Sequence, residues 1–367
     1  MPKINLTGYI NATTSYGLVT LNLIKAADEL GWHISTHGEM AGKCPREFAQ
    51  SLEKSISNQH SFDYNAPSFR LAHQFDMAPS IGRGKRVGFT YFEMDTLTRL
   101  EQHHLNSLDH LFVPTEWAKQ VCINSSVNVP ITVVGSGYNE AVFKDQPFLN
   151  KEYLTNSVNR NTCIFVSLGK WEVRKQQDKI VEAFNLAFQD KSSNEVVLWM
   201  GCHNQYIEGI VNNKIAAYKE ILGDKLTIIG RVPHQSYIRD IFLQAFCFVA
   251  PSLAEGWNLP LLEAMACGKH CIATNYSGHT EFCDESNALL IQPTGKIPAR
   301  DGMWFTGGQT NNGNWCEYSL DDLVEAMRTM YSTFEKRNMI NEAGLKTAEK
   351  FTWKNTALKM QEVLNGL

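Results

Sequence analysis

The chain has 367 residues, 43% of them hydrophobic and 20% charged, with a formal net charge of −4. That length exceeds one comfortable core and predicts two domains, while the mild acidity excludes the basic footprint of a nucleic-acid-binding protein. Nine cysteines, odd in number, scattered and without a C-x-x-C pair, argue against a disulfide framework or zinc ribbon and for a reducing, cytoplasmic setting.

Strand-like runs alternate with helix-length amphipathic segments, the pattern of parallel sheets built from βαβ units. In the first half, residues 4–10 read as a strand, 18–30 as a helix stopped by Gly31, and 33–36 as a short strand. Residues 40–66 are ambiguous, with a helix over 45–56 as one reading. Further strands are predicted at 69–72, 86–91, 110–113 and 131–134. The polar stretch 144–161 has no clean period and reads as the connection between domains. The pattern then restarts with a strand at 162–167 and a helix at 177–188. Strands follow at 195–200, 225–229, 247–250, 270–274 and 288–291. Residues 295–318, rich in Gly, Asn and Thr around Trp304, Phe305 and Trp315, read as a long irregular insertion. Helices at 320–334 and about 338–350 precede a last helical run. No apolar run reaches the ~18 residues a membrane span needs, and the N-terminus has no signal-peptide core. The expectation is no transmembrane segment, with peripheral membrane contact left open.

Residues 255–263, EGWNLPLLE, carry the most chemistry. Pro260 suits the first turn of a helix and Gly268 a left-handed stop after it. Glu255 is then expected in the loop before the helix and Glu263 in its first turn. The N–H groups of Gly256, Trp257, Asn258 and Leu259 and the positive end of the helix dipole share one space, which is a diphosphate-binding geometry. Carboxylates repel phosphate but accept hydrogen bonds from sugar hydroxyls. The arrangement therefore suits a nucleotide sugar, with Glu263 on the ribose and Glu255 on the transferred sugar. Lys170 and Lys175 in GKWEVRK are two cations able to neutralise a leaving diphosphate without a metal. Arg174 competes with Lys175 for that role. No Asp-x-Asp pair stands at a strand end, so no metal site is predicted.

The run PSLAEGWNLPLLEAMACGKHCIATNYSGHTEF resembles the donor-site signature of the retaining GT-B glycosyltransferases of family 4. VSLGKWEVRKQQDKIVEAF, IIGRVPHQ, DHLFVPTEWAKQVC and ITVVGSGYNEAVF are similar to other segments of that family, in the expected order. The resemblance implies an α/β GT-B fold: two facing Rossmann-like domains, 1–150 on the acceptor side and 151–350 on the donor side, with a deep cleft between. It implies that helix 351–367 packs back on the first domain. It implies a retaining, metal-independent transferase that takes a nucleoside-diphosphate sugar as substrate and uses no cofactor. The acceptor is expected to be a carbohydrate or glycolipid. Gly17 is expected in a glycine loop facing the donor phosphates, and Arg231 and Val232 at the base edge. Glu93, in VGFTYFEMD, stands where many relatives have a histidine; it is equally readable as a group that orients the acceptor hydroxyl or holds a donor hydroxyl, or as a loop carboxylate paired with Arg83, Lys85 or Arg86. The competing functions are a GT-B sugar-nucleotide epimerase and a non-catalytic nucleotide-sugar-binding subunit.

Overall fold

The computed structural model describes residues 1–40, 44–144, 151–232 and 234–367. The chain forms two compact units. One is Met1–Asn139 with Trp304–Asn314 and Phe351–Leu367; the other is Glu140–Met303 with Trp315–Lys350.

The first unit begins with β1 (Lys3–Ile10), α1 (Ser15–Glu29), β2 (His33–Thr36), β3 (Glu39–Met40) and α2 (Arg46–Ser57). It continues with β4 (Ser68–Leu71), β5 (Arg86–Phe89), α3 (Arg99–Asn106), β6 (His110–Val113), α4 (Glu116–Asn124) and β7 (Ile131–Val133). The strands pair in parallel in the order β2-β1-β4-β5-β6-β7, with β3 added to β1. Both faces are covered, which is why Asn5 and Thr7 are buried in β1 along with Ile4 and Leu6. After β1 the chain turns to one side for β2, then crosses to the other for β4. The topological switch point therefore lies between β1 and β4, where parallel sheets bind ligands outside their carboxyl ends.

Gly17 does not lie in a loop before a helix starting at Leu18. It sits in the first turn of α1, where the Thr14 hydroxyl accepts its N–H. A Cβ at Gly17 would lie 2.1 Å from the Asn11 carbonyl oxygen, so close backbone packing explains the glycine.

Trp304–Asn314 is tied into this first unit by two carboxylates. The fully buried Glu101 accepts from Thr98 N (2.7 Å), from Gln74 Nε2 (2.8 Å) and from Asn311 N (2.8 Å). Asp95 accepts from Asn314 N at 2.8 Å.

The second unit contains α5 (Glu140–Phe143), α6 (Lys151–Ser157), β8 (Cys163–Leu168), α7 (Gln177–Phe188), β9 (Val196–Gly201), α8 (Glu208–Leu222), β10 (Leu226–Ile228) and α9 (Gln235–Gln244). It goes on through β11 (Cys247–Ala250), α10 (Leu259–Ala266), β12 (His270–Thr274), β13 (Leu289–Ile291), β14 (Gly295–Pro298), β15 (Asn314–Glu317), α11 (Leu320–Glu335) and α12 (Glu342–Ala348). Its main sheet is parallel in the order β10-β9-β8-β11-β12-β13, so its switch point lies between β8 and β11. The stretch 295–318 is not wholly irregular, because β14 and β15 pair as a small sheet. The helix expected over 338–350 is shorter, starting at the Asn341 cap, whose side chain accepts from Gly344 N. Of the expected connection 144–161, residues 145–150 lie outside the described residues and α6 occupies most of the rest. The chain ends in α13 (Trp353–Leu364), which returns to the first unit. It packs on α1, and Trp32 Nε1 donates to Gln361 Oε1 at 2.8 Å. Among the described residues no helix is long and apolar enough to cross a membrane.

Candidate donor-binding site

β11 is buried along its whole length and runs into the loop that carries Glu255. That loop ends at Asn258, whose φ of +82° is a left-handed conformation that asparagine tolerates. The Asn258 side chain caps α10 by accepting from Leu261 N at 3.3 Å, and Pro260 sits in the first turn. Gly268, at φ +68°, ends the helix in the left-handed stop expected of it, with Lys269 N donating to Ala264 O. Glu263 is the fifth residue of α10, one turn deeper than the sequence predicts, because the helix starts at Leu259.

Asn258 is itself held by His279. The Thr274 carbonyl, 3.0 Å from His279 Nδ1, can only accept, so Nδ1 carries the proton. Nε2 then accepts from Asn258 Nδ2 at 2.9 Å. Burial keeps this imidazole neutral by pushing its pKa down to about 4, against the opposing pull of the Glu255 charge.

Glu255 is 4% exposed and lies between two cations. Arg174 Nη1 stands 2.7 Å from Oε2, and Lys175 Nζ stands 2.6 Å from Oε1. Ser252 Oγ also donates to Oε1. Burial alone would raise the Glu255 pKa, but Arg174 and Lys175 outweigh it and hold the carboxyl well below its usual range. The chain of charge continues outward, since Glu172 bonds Arg174 Nη2 at 2.9 Å and Lys170 Nζ at 2.9 Å. All of these groups follow β8 or β11, on either side of the switch point.

The two candidates for the phosphate cation, Arg174 and Lys175, both pair with Glu255 but have different surroundings. Arg174 is buried, and its guanidinium serves Glu255, Glu172 and the Ala254 carbonyl. Lys175 lies over Gly169, where a Cβ would meet its Cδ at 3.0 Å, and its side chain keeps 17% exposure. Lys170 is half exposed.

Glu263 is buried, with Gln235 Nε2 donating to its Oε1 at 3.3 Å, and burial pushes its pKa up to about 8. Two carboxylates on one short motif thus sit in opposite states: Glu255 is firmly ionised and Glu263 is mostly protonated at neutral pH. Trp257 is buried against Phe282, with ring centroids 4.9 Å apart, so its indole belongs to the core. Arg231 and Val232 follow β10 at the sheet edge, and Arg231 bonds Gln205 outside the charged cluster. Gly17 and Glu93 lie in the first unit, where the Glu93 charge acts on Tyr16. Sequence reasoning misses Glu172, Ser252, Gln235 and His279; only the SGHTE stretch, readable as a loop, hints at the last.

Gly278 packs on the backbone beneath Glu255. A Cβ there would lie 2.7 Å from Glu255 O and 2.8 Å from Trp257 N. Gly278→Ala is therefore expected to displace the loop, at a cost of about 1–3 kcal/mol, and to lower activity at least tenfold. Gly295→Ala, whose Cβ meets only Glu317 Oε2 at 3.8 Å, is the matched control. Equal activity of the two variants in a kinetic assay would show that loop position does not matter.

Residues 160–299, which include Lys170, Arg174, Lys175, Glu255 and Glu263, match the family described as glycosyl transferases group 1. Over that segment the chain is similar to the glycosyl transferases group 1. An uncharacterised glycosyltransferase of Methanocaldococcus jannaschii is 26% identical over 220 residues, covering 60% of this chain and 52% of that protein. The chain thus spans about half the length of this curated relative. The phosphatidylinositol N-acetylglucosaminyltransferase gpi3 subunit of Schizosaccharomyces pombe is 29% identical over 75 residues, 20% of this chain and 16% of that one. Among solved structures, sucrose-phosphate synthase from Thermosynechococcus elongatus aligns with a TM-score of 0.69 at 15% identity, covering 100% of this chain and 99% of that one. Anabaena HepE in complex with UDP and glucose aligns over 100% of both chains, with a TM-score of 0.68 and 14% identity. At such identities the likeness establishes the fold, which is GT-B: an α/β architecture with a Rossmann-like parallel sheet in each unit.

Proposed function

We propose that this chain is a glycosyltransferase. It moves a sugar from a nucleoside-diphosphate sugar to a hydroxyl of a glycan, glycolipid or protein-linked glycan, with retention at the anomeric carbon and with no metal or cofactor. The observation that carries the reading is the pairing of Glu255 with Lys175 at the amino end of α10. A diphosphate arriving there competes for Lys175 and frees a Glu255 oxygen to accept from a sugar hydroxyl. Glu263 accepts from the ribose hydroxyls, and Arg231 and Val232 flank the base. The bond from the anomeric carbon to the diphosphate oxygen breaks, and the acceptor oxygen bonds that carbon on the same face. The acceptor's proton passes to the leaving phosphate. Lys170, Lys175 and the helix N-terminus offset the charge that develops. Gly17 and Glu93 are the contributions proposed from the first unit. Nine free cysteines support a reducing, cytoplasmic setting.

The test is to incubate the protein with UDP-, GDP- and ADP-sugars, with and without glycan acceptors, and to follow nucleotide release and product configuration by NMR. Acceptor-dependent release with a retained anomeric configuration is expected. An epimerised donor indicates the epimerase reading, and binding without turnover a non-catalytic role. Full activity in EDTA is expected; rescue only by added Mg²⁺ or Mn²⁺ refutes metal independence.

A further inference from the structure

The first unit has an aromatic cluster at its own switch point. Tyr9 is the penultimate residue of β1, and His73 comes two residues after β4 ends. Tyr16, in the first turn of α1, completes the group: ring centroids lie 6.2 Å apart for Tyr9 and Tyr16, 6.1 Å for Tyr9 and His73, and 4.4 Å for Tyr16 and His73. Phe75 stacks on His73 at 5.2 Å with the planes only 3° apart. Tyr16 is fixed, because its hydroxyl both donates to Tyr91 O (2.9 Å) and accepts from Tyr91 N (3.1 Å). Tyr9 is 42% exposed, so part of its ring stays open to solvent beside the fixed Tyr16.

Beside it stands a carboxylate. Tyr9 Oη donates to Asp76 Oδ2 at 3.1 Å, and Arg70 Nη2 pairs with the same oxygen at 2.5 Å. The Arg70 side chain is 12% exposed, with its Nε donating to the Asp76 carbonyl, so its charge is already engaged. The exposed ring and the carboxylate, with the neighbouring guanidinium turned to its own acceptors, repel phosphate. They suit a neutral ring with one apolar face and hydroxyls at its rim.

We propose that Tyr9 and Asp76 form the acceptor platform of the first unit, and that the acceptor is a neutral pyranose stacked on Tyr9 with a hydroxyl donated to Asp76. The platform rests on the transferase reading and names the substrate class for it. The stack supplies apolar area at a low entropic cost, since the ring is already held. The carboxylate fixes which edge of the sugar is presented.

The experiment measures binding of neutral methyl pyranosides to the full chain by saturation-transfer NMR, alongside binding of UDP and GDP by calorimetry. Wild type is expected to bind at least one pyranoside. Tyr9→Ala weakens that binding at least tenfold, Tyr9→Phe keeps it within about twofold, and Asp76→Asn weakens it several-fold, all with unchanged nucleotide affinity. Melting curves check that Asp76→Asn remains folded, and Tyr9→Phe keeps the test independent of it. Failure of wild type to bind any neutral pyranoside, full binding by Tyr9→Ala, or binding confined to phosphorylated sugars overturns the platform. Failure of UDP and GDP to bind counts instead against the transferase reading.

Discussion

Glu255→Gln is expected to abolish most turnover while leaving nucleoside diphosphate bound at least as tightly as in wild type. The substitution keeps the side-chain shape and removes the charge that Lys175 and Arg174 share. Lys175 then meets a diphosphate with no internal competitor, so free nucleotide binds equally well or better. The reacting sugar loses its charged hydrogen-bond acceptor, and loss of one such preorganised group typically costs ~10²–10³ in kcat. Stability falls as well. Removing one partner of a buried ion pair leaves the other uncompensated, at about 3–5 kcal/mol. Both effects have the same root, so melting curves and kinetics must be read together. The two also separate by pH. Glu255 has a folded pKa below its ordinary 4.5, so its stabilisation is present above pH 4.5 and lost on further acidification. His279 adds an earlier loss as pH falls from 6.5 towards 4, because it must be neutral in the fold. Glu255→Gln should keep the His279 stage and lose the one below pH 4.5. A variant that turns over normally removes Glu255 from the donor site.

The strands that frame this site are legible because buried parallel strands are short continuous apolar runs between turn residues. CFVA before Pro251 and HCIAT after Gly268 coincide with β11 and β12 for that reason. The helix signals in NLPLLEAMACG are equally local: a cap, a proline and a glycine stop. What joins distant segments is not legible. Arg174 and Lys175 lie about eighty positions before Glu255, and nothing in GKWEVRK tells which cation turns inward. Adjacent residues diverge because Arg174 has three acceptors to satisfy, whereas Lys175 reaches past Gly169 to Glu255. Polar Trp304–Asn314 shows no period, since its order comes from Glu101 and Asp95, about two hundred residues earlier. The cluster around His73 is not legible either, because its ring partners, Tyr9 and Tyr16, approach it only through the crossover from β1 to β4. Position along a strand is a local property; the switch point that gives it meaning is not.

Glu263→Gln is expected to make the protein more stable and the nucleotide site weaker. In the unfolded chain this carboxyl ionises above about pH 4.5, while in the fold burial delays ionisation to about pH 8. Folding therefore takes up a proton between those values, and stability contributed by the protonated form is lost as pH rises towards 8. Glutamine has the same shape and no proton to lose. The variant should melt close to wild type at about pH 5 and several degrees higher at about pH 8.5, a gain on the order of 2–4 kcal/mol. Nucleotide binding moves the other way. If the ribose hydroxyls donate to Glu263, binding selects the ionised form, which is roughly a tenth of the population at pH 7 and costs about 1.4 kcal/mol to reach. Wild-type affinity for UDP or GDP should then rise roughly tenfold from about pH 7 to 9, with a proton released on binding. The glutamine variant should be flat across that range and weaker at its upper end by the ~1.5–3 kcal/mol of a charged hydrogen bond. Calorimetry in buffers of different ionisation enthalpy reads the released proton directly. A wild-type affinity that falls with pH means the protonated carboxyl binds, and the ribose assignment must then be reversed to one in which Glu263 donates.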